Sequence, residues 1–130
     1  DGSGVALWYG GIRCLLRLEL AGHRAAITAS AEGGPALQQL IVQARPGQMV
    51  RTAAGAETKL GEAALQWGSP QLGEWIEVAG CRITLPPGAR FCWPTVPFSP
   101  YAVDGAAPFG SELGVLSARI DGQPICWSIE

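Results

Sequence analysis

Charge is scarce in this chain of 130 residues: nine Lys or Arg and eleven Asp or Glu make up 15% of it, against roughly 25% in an average soluble domain. The positive charges are few and scattered. Lys59 is the single lysine, eight arginines are spread along the chain, and the net charge is -2, so no basic field is available for a phosphate backbone and nucleic-acid binding is excluded. Histidine is nearly absent too. His23 stands alone beside Gly22, no Gly-x-Ser-x-Gly elbow exists, and nucleophilic catalysis of the Ser-His-Asp or Cys-His kind loses its base. His23 reads as an exposed turn residue. One histidine and four cysteines without Cys-x-x-Cys spacing make no zinc set, and the three aspartates make no calcium loop. No metal is expected. No Gly-rich phosphate loop leads from a strand into a helix, so no nucleotide cofactor is expected either. Apolar runs such as Leu40-Ile41-Val42 fall far short of the roughly 18 residues of a membrane-spanning helix, so no span is predicted.

Carboxylate chemistry fares no better. Glu74 and Glu77 are three apart, and on a strand that spacing points them to opposite faces. Asp104 and Glu112 read as loop and solvated-face residues. The sequence therefore supplies no catalytic residue and predicts no activity for this chain alone.

Glycine and proline, by contrast, are abundant, at 18 and 10 residues, while 48% of the chain is hydrophobic. That hydrophobic share is normal for a folded domain, and a chain of this length buries about two thirds of its unfolded surface. One domain is expected over residues 5–130. Residues 1–4, Asp-Gly-Ser-Gly, read as a linker or the remnant of a longer chain.

Most glycines punctuate strands. Residues 5–9 form a short apolar strand closed by Gly10-Gly11, and residues 12–20 alternate Ile12, Cys14, Leu16, Leu18 and Leu20 against Arg13, Arg17 and Glu19. Further strands are predicted over 24–30, 36–44, 49–53, 58–67, 75–79, 81–85, 89–93, 111–120 and 123–129. Pro86-Pro87-Gly88 and Asp121-Gly122 are expected as hairpin turns. About ten short strands with turns every eight to twelve residues predict an all-β, mainly antiparallel two-sheet sandwich or jelly roll.

The prolines are not spread evenly. Six of the ten fall within 86–108, and five of the ten aromatics within 91–109. Proline removes a ladder donor and extends its predecessor, so 94–109 is expected as an ordered polyproline-like loop over one edge or sheet face.

In a chain without a catalytic set, aromatic residues beside polar ones are the candidate binding surface. Sugar rings offer apolar faces to Trp or Tyr and hydroxyls to charged neighbours. Trp75 shares a strand face with Glu77, and Trp93, Phe98 and Tyr101 lie in or beside the proline-rich stretch with Arg90 and Asp104. The competing role of those aromatics is to pin the loop onto the core or to contact another protein.

Cysteine chemistry stays open between packed thiols and bridges. If residues 85–88 are the loop of a hairpin, Cys81 faces Cys92, which leaves Cys14 to join Cys126 across the terminal strands.

The stretch Ile83-Thr84-Leu85-Pro86-Pro87-Gly88-Ala89-Arg90-Phe91-Cys92-Trp93-Pro94, followed by Pro97-Phe98-Ser99-Pro100-Tyr101, resembles segments of the β-sandwich accessory domains in heparinase II/III-like polysaccharide lyases. The resemblance covers about 25 residues of the 130 and lacks the toroid of those enzymes and its Tyr, His and Arg constellation. It implies a non-catalytic sandwich that packs on a catalytic domain and helps close a polysaccharide cleft. The expected partners are thus a polysaccharide, a neighbouring domain or a second copy of the chain. Such a substrate implies an extracellular or periplasmic setting.

Overall fold

Gly10 and Gly11 take φ of 55° and 82°, the left-handed pair of a type I′ turn whose twist matches that of its flanking strands. They fold β1 (Gly2–Tyr9) onto β2 (Ile12–Ala21) in the computed structural model of the chain, which describes residues 2–95 and 113–130. Gly2, Ser3 and Gly4 pair with Glu19, Leu18 and Arg17, so they are strand and not linker. A second tight turn, with Gly22 at φ 60° and His23 exposed beside it, leads into β3 (Arg24–Glu32).

The chain then changes sheet. Gly33-Gly34-Pro35 carries it to β4 (Ala36–Val42), after which come β5 (Met49–Thr52), β6 (Glu57–Lys59) and β7 (Leu65–Trp67). A short helix α1 (Ser69–Leu72) precedes β8 (Trp75–Val78), β9 (Cys81–Thr84) and β10 (Arg90–Thr95), and the described chain closes with β11 (Leu113–Ile120) and β12 (Ile125–Ile129). All pairings among the described residues are antiparallel. They build an eight-stranded sheet in the order β1-β2-β3-β12-β9-β8-β5-β6 and a four-stranded sheet in the order β4-β11-β10-β7. The all-β two-sheet sandwich expected from the strand pattern is what forms. No helix among the described residues is long and apolar enough to cross a membrane.

Two turn readings and one strand reading are corrected. Asp121-Gly122 joins β11 and β12, but these strands belong to different sheets. The signal marks a chain reversal, and the two strands it joins face each other across the core instead of sharing a ladder. Pro86-Pro87-Gly88 likewise crosses from β9 in the large sheet to β10 in the small one. The expected strand over 58–67 is split around Gly61, at φ 105°, into β6 and β7, again one in each sheet.

These crossings dismantle the expected bridges. Cys81 and Cys92 stand in separate sheets, so the hairpin that would oppose them does not exist. Cys14 pairs with Ala31 on the inner side of the large sheet, whereas Cys126 pairs with Thr28 on its outer side, with β3 between them. All four cysteines are free thiols.

The core lies between the sheets. Trp127, Phe91, Leu60, Leu72, Ile76 and Leu116 are its largest closed-off side chains. Packing is tight at Gly114, where an added Cβ would stand 2.7 Å from the Phe91 ring. The described residues do not include 96–112, so the loop expected over 94–109 lies almost wholly outside them.

Candidate functional site

Two surfaces have the composition of a binding site, and strand alternation creates both. The first is on the outer face of the large sheet. Ile76 and Val78 are buried, which turns Trp75 and Glu77 outward, as the alternation in the sequence predicts. Register then aligns Glu57, Arg51, Glu77 and Arg82 in one row across β6, β5, β8 and β9. Arg51 Nε donates to Glu57 Oε2 at 2.8 Å. Arg82 donates to Glu77 Oε1 from Nη2 at 2.6 Å and from Nε at 3.0 Å.

The same Arg82 guanidinium lies 4.2 Å from the centroid of the Trp75 ring. A shallow depression of about 450 Å³ opens beside this row, with Met49, Cys81 and Glu130 at its rim. The ion pairs are solvated and contribute at most about 1 kcal/mol each. Their chemical capacity is to bond hydroxyls, and the Arg82 guanidinium occupies one face of the indole that a sugar ring would need.

The other candidates of the sequence do not join this row. Arg90 opposes Ser117 on the small sheet, whose outer face points away from Trp75. Trp93 is only 5% exposed, and its Nε1 donates to the Ala44 carbonyl at 2.9 Å. Its indole anchors the core and offers no free face to a ligand. Phe98, Tyr101 and Asp104 lie outside the described residues. Among the described residues no three His, Cys, Asp or Glu side chains cluster as metal ligands.

The second surface went unrecognised in the sequence. It is the inner face of the large sheet where β1 and β2 extend past the small one. Cross-strand partners share a face, so Ile125, Ala29, Leu16 and Val5 form one row from β12 to β1. Along that row burial fades. Ile125 is 8% exposed and Ala29 is closed off, Leu16 is half-buried, and Val5 is 51% exposed. The neighbouring row runs from Trp127, fully buried, through Ile27 to Leu18, which is exposed.

The physical cause is the unequal width of the layers. β4 is the edge strand of the small sheet, and Gln38 on β4 receives the Trp127 Nε1 hydrogen bond from β12. That bond places the rim of the small sheet over the middle of the large one. Beyond it Val5, Leu7, Tyr9, Leu18 and Leu20 share the core-facing side of the sheet with no described layer to cover them; Leu7 and Leu20 are each 54% exposed and Tyr9 89%.

The sequence held only part of the signal: Val5, Leu7 and Tyr9 stand opposite Leu16, Cys14 and Ile12, but Ala6 and Trp8 between them are apolar too, so residues 5–9 read as one apolar run whose inner face only the register identifies. Alternation announces a face made for burial, but whether a second layer reaches it depends on how many strands each sheet receives. Compared with family models, with curated proteins and with solved structures, the chain matches none of them.

Proposed function

We propose that this chain is a non-catalytic accessory module that works by packing the uncovered inner face of β1 and β2 against protein. One observation carries the reading: among the described residues, an apolar inner face without charged side chains stands open where the four-stranded sheet stops short of the eight-stranded one. Contiguous apolar surface of this kind, rimmed by polar residues, marks an interaction site on an otherwise ordinary domain. The resemblance in the 83–101 stretch supports a setting in which the partner belongs to a polysaccharide-degrading protein.

The test compares association before and after Leu7→Asp and Leu20→Asp, using the chain alone and the chain joined to whatever its gene encodes around it. Association that is lost while the circular dichroism of the sandwich persists supports the reading. Association unaffected by both substitutions overturns it.

A second reading rests on Trp75, Glu77 and Arg82, which place an aromatic ring and hydrogen-bonding groups together on the outer sheet face. Here the chain would bind polysaccharide directly. Calorimetric titration with a panel of acidic and neutral polysaccharides tests it, with binding abolished by Trp75→Ala expected under this reading and no heat in the wild type against it.

A further inference from the structure

Resting on the docking reading above, we infer that the partner of the overhang is a second copy of this chain. The two copies pack their β1–β2 faces together about a two-fold axis. Among the described residues, what is missing above β1 and β2 is a layer of antiparallel strands with an apolar, uncharged inner face, about 10 Å above the sheet. The chain itself owns such a layer: the overhang. Its inner side presents Val5, Leu7, Tyr9, Leu18 and Leu20, with Ile12, Cys14 and Leu16 behind them, and among the described residues it carries no carboxylate, lysine or arginine. A two-fold contact sets each patch against its own copy, so a patch without charge meets no like-charge repulsion.

The edges of the two sheets agree with this arrangement. Continuing the small sheet past β4 by one strand brings the layer to the place where β1 of the second copy would lie. β4 (Ala-Leu-Gln-Gln-Leu-Ile-Val) and β1 (Gly-Ser-Gly-Val-Ala-Leu-Trp-Tyr) are both edge strands. Neither contains a proline or a charged residue, the devices by which edge strands are normally kept from pairing.

In the type I′ hairpin Tyr9 and Ile12 exchange both backbone bonds, so Ser3, Val5 and Leu7 also bond β2, while Gly2, Gly4, Ala6 and Trp8 direct their N–H and C=O groups outward. Face-to-face packing thus buries the overhang and brings these open groups alongside the open edge of β4 in the other copy. One partner answers the uncovered face and both unprotected edges.

The outer face of the same hairpin takes no part. There Trp8 stands beside Arg13, whose Cζ is 5.5 Å from the ring centroid, among Arg17 and Glu19. This separates the inference from a general stickiness of the hairpin.

Sedimentation equilibrium of the full chain tests the inference. The expected mass is twice 13.6 kDa at micromolar concentration. Leu7→Asp or Leu20→Asp should return the mass to 13.6 kDa with unchanged circular dichroism, and Trp8→Ser, on the outer face, should leave the dimer intact. A dye that fluoresces on apolar surface should lose its signal in the wild type as concentration rises through the transition, a readout that needs no variant.

A wild-type chain that stays monomeric overturns the inference, as does a dimer indifferent to Leu7→Asp and Leu20→Asp but broken by Trp8→Ser. Monomeric wild type that nevertheless binds another protein through Leu7 and Leu20 removes the second copy and leaves the docking reading standing. Loss of both self-association and any other association removes the two together.

Discussion

Trp127 and Gln38 join the two sheets: the indole Nε1 on β12 donates to the Gln38 side-chain oxygen on β4 at 2.5 Å. Trp127 is wholly buried, and a buried donor left without an acceptor costs about 1–3 kcal/mol. Gln38→Leu keeps bulk and removes the acceptor, so it should destabilise the chain by that amount in urea unfolding, with little change in the slope m. The paired change Trp127→Phe, made in the Gln38→Leu background, should cost less than Trp127→Phe alone, because it removes the orphaned donor. A double-mutant cycle that shows strict additivity would mean the bond contributes nothing.

Gly114 is explained by its neighbour. A Cβ there would lie 2.7 Å from Phe91 Cε2 and 3.0 Å from Cζ, and Phe91 is fully buried with its ring tilted against Trp67 at 6.3 Å between centroids. Gly114→Ala should therefore destabilise by about 1–3 kcal/mol through overpacking, and Gly114→Ala with Phe91→Leu should recover part of the loss. Thermal melts of the three variants check it.

The cysteines should behave as four independent thiols. Cys81 and Cys126 are exposed, Cys14 and Cys92 half-buried. Mass spectrometry after a short iodoacetamide pulse on the native protein should find Cys81 and Cys126 modified first, with the others following more slowly, and melting temperature should not depend on reductant. Linked peptides containing Cys81 with Cys92 would require the two sheets to rearrange.

Ala79 carries a strained turn. It adopts φ 53° ahead of Gly80 at φ 79°, the type I′ pair between β8 and β9, and a non-glycine residue in the left-handed region costs roughly 1–2 kcal/mol. Ala79→Gly and Ala79→Asn should each stabilise the chain, by about 0.5–1 kcal/mol once the entropy of the unfolded state is counted. Because both preserve the turn, the Arg82–Glu77 pair beside it should be unaffected. Chemical denaturation of both variants gives the sign directly.

The legible part of this fold is what depends on nearest neighbours in the chain. The hairpin at Gly10-Gly11, the amphipathic strand through Ile12 to Leu20, the alternation that turns Trp75 and Glu77 outward and the strand character of 36–42 all follow from residues a few positions apart. What was hidden is the assignment of strands to sheets. Asp121-Gly122 and Pro86-Pro87-Gly88 look like hairpin turns whether the following strand pairs with its predecessor or crosses the core, since both need only a reversal. The cysteine pairing inherited that ambiguity. For a related reason nearby residues do not decide whether Trp93 faces a ligand or pins the loop onto the core: what decides it is the Ala44 carbonyl, 49 residues away, which holds its indole.

Val5 and Ile125 provide the sharpest contrast, because they share one row of the same sheet face and, among the described residues, only Ile125 has a second layer above it. Ile125 is 8% exposed and Val5 51%. Ile125→Ala removes packed methyl groups from beneath the small sheet and should cost about 2–5 kcal/mol. Val5→Ser and Leu7→Ser remove apolar surface that water already reaches, so at dilutions where the chain is monomeric each should change stability by no more than about 0.5 kcal/mol. The measurement is a set of urea titrations at low and high protein concentration. If the apolar residues of β1 stabilise nothing within the isolated chain, folding alone does not account for the apolar character of Val5, Leu7 and Tyr9. An effect of these substitutions that emerges only as concentration rises would tie them to association; a large effect at every concentration would place them in the core and close the docking surface.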